Sequence, residues 1–142
     1  MEKKYYPESR VTLTFDSNGG SSVEAITGIP GETFTRPTNP TKKGYTFAGW
    51  NPGLPSTFPA ENVTYTAQWT PNAYTVTFNA NGGEGSMNDQ AFTYDVKQEL
   101  TKNAFARQDY NFAGWTTSNN VSSVRYNDGQ SVSNLTDEPN GN

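Results

Sequence analysis

The chain has 142 residues and a net charge of −4, and it contains neither cysteine nor histidine. Disulfides, the usual nucleophile–base pairs and thiolate or imidazole metal ligands are therefore excluded. Its ten basic residues are scattered, whereas phosphate binding needs clustered lysine and arginine, so no nucleic-acid partner is expected. No apolar run is long enough for insertion into a membrane. Aromatic residues make up 13% of a chain that is only 32% hydrophobic, so a few large rings must supply most of the buried area.

The first half of the chain predicts four β-strands, from alternating apolar and polar residues or from the turn residues that bound each segment. The segments are residues 11–15, 23–29, 45–50 and 63–69. Asn18-Gly19-Gly20 follows the first of them, and Asn-Gly favours positive φ at successive positions, which predicts a tight hairpin turn. Pro37 and Pro40 exclude a regular helix or a central strand before the third segment, because proline lacks the N–H donor.

The second half repeats this plan. Residues 74–83 repeat residues 11–20, and Tyr-Asn-Phe-Ala-Gly-Trp at 110–115 repeats Tyr-Thr-Phe-Ala-Gly-Trp at 45–50. Both matches have a spacing of roughly 65 residues, which indicates a tandem repeat of one small module. The second copy predicts strands at residues 74–78, within 91–100 and at 110–115. It contains no counterpart of the fourth strand.

The repeat predicts the domain organisation. We expect an N-terminal extension at residues 1–10, module 1 at 11–69, a linker at 70–73, and module 2 at 74–142 without its final strand. Each module has about 60 to 70 residues, near the lower limit at which a core sustains a fold.

The large rings are predicted to form the two cores, because each module has few other apolar side chains. The predicted core rings are Phe15, Phe47, Trp50 and Tyr65 in module 1 and Phe78, Phe112 and Trp115 in module 2. Gly49 and Gly114 precede the tryptophans, and a glycine within a strand indicates a bulge or a close backbone approach. The alternative is an exposed aromatic platform on which a sugar could stack.

The sequence predicts no catalytic, cofactor-binding or metal-binding residue, and no cofactor. Glu24, Glu32 and Glu61 have no matching acids in module 2, which favours solvated surface carboxylates over an acid pair. A glycosidase fragment with two facing carboxylates remains an alternative. Asp16 and Asn18 are spaced as in a calcium loop, but module 2 has the uncharged Asn79 in place of Asp16. A turn explains both copies.

Three blocks of residues resemble the Listeria–Bacteroides repeat family, which includes the B repeat of internalin-type surface proteins. They are the opening strand with its Asn-Gly-Gly turn, the block at 44–50, and the closing block at 59–69. The first two recur in module 2, with Asp109 in place of Gly44. The resemblance implies a mainly β, ubiquitin-like β-grasp fold with a reduced helical element, present as two tandem modules. It also implies an extracellular location on a bacterial cell surface.

These observations predict a non-catalytic repeat segment that acts as a stalk or spacer and contacts host or matrix proteins or glycans. The alternative, from a different functional class, is a carbohydrate-binding module that uses exposed aromatic residues. Solvent exposure of Trp50 or Trp115 distinguishes the two.

The missing strand of module 2 leads to a separate expectation. In a β-grasp arrangement the closing strand lies beside the opening one, so residues 74–78 should present unpaired backbone groups, which recruit another strand. Residues 131–142 could fold in as a substitute, or module 2 could stay loosely packed. The expectation that we favour is donation of residues 3–10 by a neighbouring chain, which would give a strand-exchanged homo-oligomer.

Overall fold

The computed structural model describes residues 9–118 and 125–142. The chain divides into two compact units, Met1–Thr70 (unit 1) and Pro71–Asn142 (unit 2). The described residues form β-strands, turns and irregular segments but no helix, so the mainly β class is confirmed. Accordingly, no described segment forms a helix that could span a membrane. Residues 3–8 of the proposed strand donor lie outside the described residues.

Unit 1 contains one four-stranded sheet. Its strands are β1 (Val11–Asp16), β2 (Ile26–Gly28), β3 (Tyr45–Asn51) and β4 (Val63–Pro71), in the order β2-β1-β4-β3. β1 is antiparallel to β2 and parallel to β4, with Leu13 opposite Val63 and Phe15 opposite Tyr65. The closing strand thus lies at the centre of the sheet, between the first and the third strands.

Alternation along β1 determines which side of the sheet forms the core. Val11, Leu13 and Phe15 are buried, whereas Thr14 and Asp16 between and after them are exposed, as the twofold period of a strand requires. The buried residues of the core are Val11, Leu13, Phe15, Phe58 and Tyr65. The two central strands therefore contribute most of the buried apolar surface of unit 1.

The Asn-Gly turn forms, but it does not close a tight hairpin. Asn18 and Gly19 have φ values of 51° and 91°, and the Gly20 N–H donates to the Ser17 carbonyl over 3.1 Å. β2 begins only at Ile26, three residues later than the predicted strand. The Asn18 side-chain amide instead donates to the Ala67 carbonyl of β4 over 3.1 Å. The turn is therefore anchored to the closing strand rather than to its sequence neighbour.

Unit 2 contains two short antiparallel sheets in place of one long sheet. β5 (Ala73–Val76) pairs with β6 (Gln90–Thr93), and β7 (Gln98–Glu99) pairs with β8 (Ser131–Val132). Its core consists of Tyr74, Phe78, Phe92, Leu100 and Val132. The turn at Asn81-Gly82 repeats the positive φ values of unit 1, at 47° and 90°.

The third predicted strand of module 2, at residues 110–115, is a wrong prediction. These residues form no strand, and Trp115 makes only an isolated bridge to Tyr126. The physical reason lies in the sheet order: β4 is the one neighbour of β3 in unit 1. The described part of unit 2 has no strand equivalent to β4, so the segment has no ladder partner.

The C-terminal residues partly replace that strand. The Asn140 N–H donates to the Ala73 carbonyl, and the Thr75 N–H donates to the Gly141 carbonyl, each over 2.9 Å. Tyr74 and Gly141 form a parallel bridge. The end of the chain therefore folds in beside the beginning of β5, the first of the three outcomes expected for this edge.

Candidate interaction surface

The rings of unit 1 form one connected cluster. Phe15 lies 5.0 Å from Trp50 and 5.8 Å from Tyr65, measured between ring centroids. Phe47 lies 5.2 Å from Trp50 and 5.6 Å from Trp69. Phe15 and Tyr65 are buried, whereas Phe47 and Trp50 are half-buried. Gly49, with a φ of 118°, lies between Phe47 and Trp50, which meet on one side although they are three residues apart.

Trp69 ties the closing strand to the first turn. Its indole N–H donates to the Ser17 carbonyl over 2.8 Å. A Cβ atom at Gly20 would overlap the Trp69 ring, so only glycine allows the ring to lie over this turn. Glycine is therefore required at position 20 by the packing of the Trp69 ring, and not only by the conformation of the turn.

Unit 2 repeats part of this cluster around Trp115. Phe78 lies 4.9 Å from Trp115 and Phe112 lies 4.8 Å from it. Phe78 is buried and Trp115 is half-buried. The Trp115 indole nitrogen is buried and finds no hydrogen-bond partner among the described residues. Unit 2 therefore keeps the tryptophan at its core but leaves its polar atom unsatisfied.

Phe112 is a correction to the predicted core, because its side chain is 41% exposed. Its counterpart Phe47 lies between Trp50 and Trp69. The described part of unit 2 offers no ring equivalent to Trp69, so one face of Phe112 stays uncovered. The sequence pattern is the same at both positions, and the difference comes from the absent closing strand.

A cavity of about 1090 Å³ marks the position of the missing strand. Its lining combines residues 74–81 with residues 110–118, and these are the counterparts of the two segments that β4 separates in unit 1. Phe78, Phe105, Phe112 and Trp115 contribute aromatic surface to it. The cavity is therefore mostly the unfilled centre of an incomplete sheet.

The polar residues that could carry chemistry do not assemble. Glu24, Glu32 and Glu61 are all exposed. The described residues contain no cluster of three acidic side chains that could hold a metal ion. The Asp16 carboxylate accepts the Asn18 N–H over 2.9 Å, and the Asn79 side-chain oxygen accepts the Asn81 N–H over 2.8 Å. The side chains of Asp16 and Asn79 thus both stabilise a turn by accepting a backbone hydrogen bond, although only Asp16 is charged.

One repeated feature escaped the sequence reasoning. The Lys42 ammonium lies 4.2 Å from the centroid of the Tyr45 ring, and the Arg107 guanidinium lies 4.1 Å from that of Tyr110. In each copy a basic residue precedes the tyrosine by three positions, and this recurrence is the signal that could have found the pair. A cation over an aromatic face is attractive, so each pair favours the same local arrangement at the start of the third segment.

The sequence pattern of the Listeria-Bacteroides repeat domain matches residues 12–73 and 74–136. A protein of Evansella cellulosilytica named "Putative membrane protein" is 32% identical over 130 residues, which is 83% of this chain and 19% of that protein. Internalin H of Listeria monocytogenes is 35% identical over 115 residues, which is 73% of this chain and 20% of that protein. The chain thus spans at most a fifth of the length of these relatives. No solved structure matches. Because two successive matches to the repeat pattern together cover nearly the whole chain, the chain belongs to the Listeria–Bacteroides repeat family.

Proposed function

We propose that this chain is a non-catalytic repeat segment of a bacterial surface protein and that it acts as a stalk or spacer. Two copies of one small module stand in tandem, and such arrays build length from repeated units. In Internalin H and in the Evansella cellulosilytica protein, the segment similar to this chain is part of a much longer protein. The same arrangement would place contacts with host or matrix proteins or glycans outside the cell.

The observation that carries the proposal is the parallel pairing of the terminal strands of unit 1. Residues 13–16 of β1 pair with residues 63–66 of β4, so the first and last strands lie side by side and run in the same direction. A pull on the two ends of the unit draws these strands past each other lengthwise. The hydrogen bonds of the ladder are then loaded together rather than one at a time, which is the geometry that resists force.

A carbohydrate-binding function has weaker support. Trp50 and Trp115 are half-buried and pack against the two cores, so both rings contribute to packing rather than standing out as an exposed platform. The three acids considered for a glycosidase are exposed side chains that line no common cleft in the described residues. These features favour a structural role over a sugar-binding or a hydrolytic one.

Single-molecule stretching of the full chain, held at its two ends, tests the proposal. We expect two unfolding events of unequal force. The event at higher force should belong to unit 1, because its ladder between β1 and β4 must break before the unit unfolds, which lowers its unfolding rate under load. Unit 2 is the internal control, because the pairing of its end with β5 is limited to residues around Tyr74 and Gly141. Replacing the exposed Thr64 with Pro removes a backbone donor from β4 but no core side chain, and it should weaken only the stronger event. Two unfolding events of equal, low force would contradict a mechanical role for unit 1.

A further inference from the structure

The closing strand of unit 1 shows what the cavity of unit 2 lacks. Inward side chains of β4 include Tyr65, which stacks near Phe15, and Ala67, which is fully buried. Farther along, Trp69 lies against Phe47 and donates to the Ser17 carbonyl. The Ala67 carbonyl accepts the side-chain amide of Asn18. The strand β4 thus provides hydrogen-bond partners for the turn, buried side chains for the core and a ring that packs on the third strand.

Unit 2 keeps the partners of such a strand. Phe78 corresponds to Phe15, Asn81 to Asn18, Gly83 to Gly20 and Phe112 to Phe47. Phe112 is exposed and the buried indole nitrogen of Trp115 has no partner among the described residues. All five of these residues line the cavity: Phe78, Asn81, Gly83, Phe112 and Trp115. The receiving surface is therefore preserved.

The end of the chain also has the register of that strand. Leu13 pairs with Val63 in unit 1, so Val11 falls opposite Glu61. Tyr74 corresponds to Val11 and pairs with Gly141, which places Asn142 at the position of Asn62. Asn62 accepts the Thr12 N–H through its side chain, and Asn142 donates to the Thr75 and Thr77 hydroxyls, each over 2.8 Å. The residue behind Asn142 would occupy the position of Val63.

We propose that the cavity of unit 2 is an acceptor for one parallel β-strand, with the side-chain pattern of residues 63–69, joined directly to Asn142. The aromatic residue at its third position packs on Phe78, and a small residue fills the fifth position. The carbonyl of that fifth residue accepts the side-chain amide of Asn81. A tryptophan at the seventh position lies over Gly83 and covers Phe112.

Extension of the full chain tests the proposal. One variant carries Val-Thr-Tyr-Thr-Ala-Gln-Trp behind Asn142, and the matched control carries Ser-Thr-Ser-Thr-Ser-Gln-Ser, which keeps the length but removes the inward side chains. Hydrogen exchange resolved by segment is the measurement. We expect amide exchange in residues 74–78 and 110–115 to slow by at least about tenfold with the first extension and to stay unchanged with the control.

Two outcomes would overturn the proposal. Equal exchange in both extended chains would show that the cavity does not select this strand. A micromolar dimer of the unextended chain in sedimentation that persists when the first extension is added would assign the cavity to a strand of a second copy instead. That result would support strand exchange through residues 3–10, which replacement of Tyr5 and Tyr6 by Ser would then abolish.

Discussion

Residues 45–50 of unit 1 form the strand β3, whereas residues 110–115 of unit 2 differ from them at one position and form no strand. The local sequence is therefore not the cause of the difference. β3 has β4 as its neighbour in the sheet, and the described part of unit 2 provides no such neighbour. In this chain the third segment forms a strand in the unit that has the closing strand and does not form one in the unit whose described residues lack it.

The aromatic residues follow the same rule. Phe15 and Phe78 are buried in both units, because each lies on the opening segment and faces its own core. Phe47 and Phe112 differ, because the ring that covers Phe47 belongs to the closing strand. Contacts within the opening half of the module are thus shared by the two units, and contacts with the closing strand distinguish them.

The largest expected effect tests the central strands. Leu13 of β1 is fully buried opposite Val63, whereas its counterpart Val76 is only half-buried. Leu13→Ala should destabilise unit 1 by about 2–5 kcal/mol through the lost burial and the cavity that remains. Val76→Ala should cost unit 2 only about 1 kcal/mol. Segment-resolved hydrogen exchange measures both, and equal losses would show that the missing strand does not weaken the core of unit 2.

A smaller effect tests how much the Trp69 ring, which covers Phe47 in unit 1, contributes to stability. Phe47→Ala should cost unit 1 about 2 kcal/mol, because a half-buried ring loses contact with Trp50 and Trp69. Phe112→Ala should cost unit 2 about 0.5 kcal/mol or less, as expected for an exposed side chain. Denaturant unfolding of the two variants, monitored by segment, gives the comparison. A cost at Phe112 as large as that at Phe47 would mean that another group covers the ring in solution.

The sequence could predict what depends on local pattern. Alternation along residues 11–15 predicts the buried face of β1, and Asn18-Gly19 predicts the two positive φ values of the turn. The residue patterns alone could not predict pairing, because a strand pattern specifies a face but not a partner. The pairing of the closing strand with the opening one was expected only from the family resemblance. The predicted strand at 110–115 and the predicted burial of Phe112 fail for this reason. The role of Gly20 was equally hidden, since it depends on Trp69, a residue far away in the chain.

The smallest effect concerns the phenol of Tyr65, which belongs to the closing strand β4. Burial of Tyr65 raises the pKa of its phenol above the usual value of 10.0, because the ionised form is poorly solvated there. The folded state therefore holds this proton more tightly than the unfolded state does. The stabilisation of unit 1 that results is fully present below pH 10 and is lost as the pH rises through the raised pKa. We therefore expect unit 1 to lose protection in hydrogen exchange and melting experiments above pH 10. Tyr65→Phe keeps the ring and removes the ionisable group, and it should flatten this alkaline slope. An unchanged slope in that variant would assign the alkaline loss to other groups.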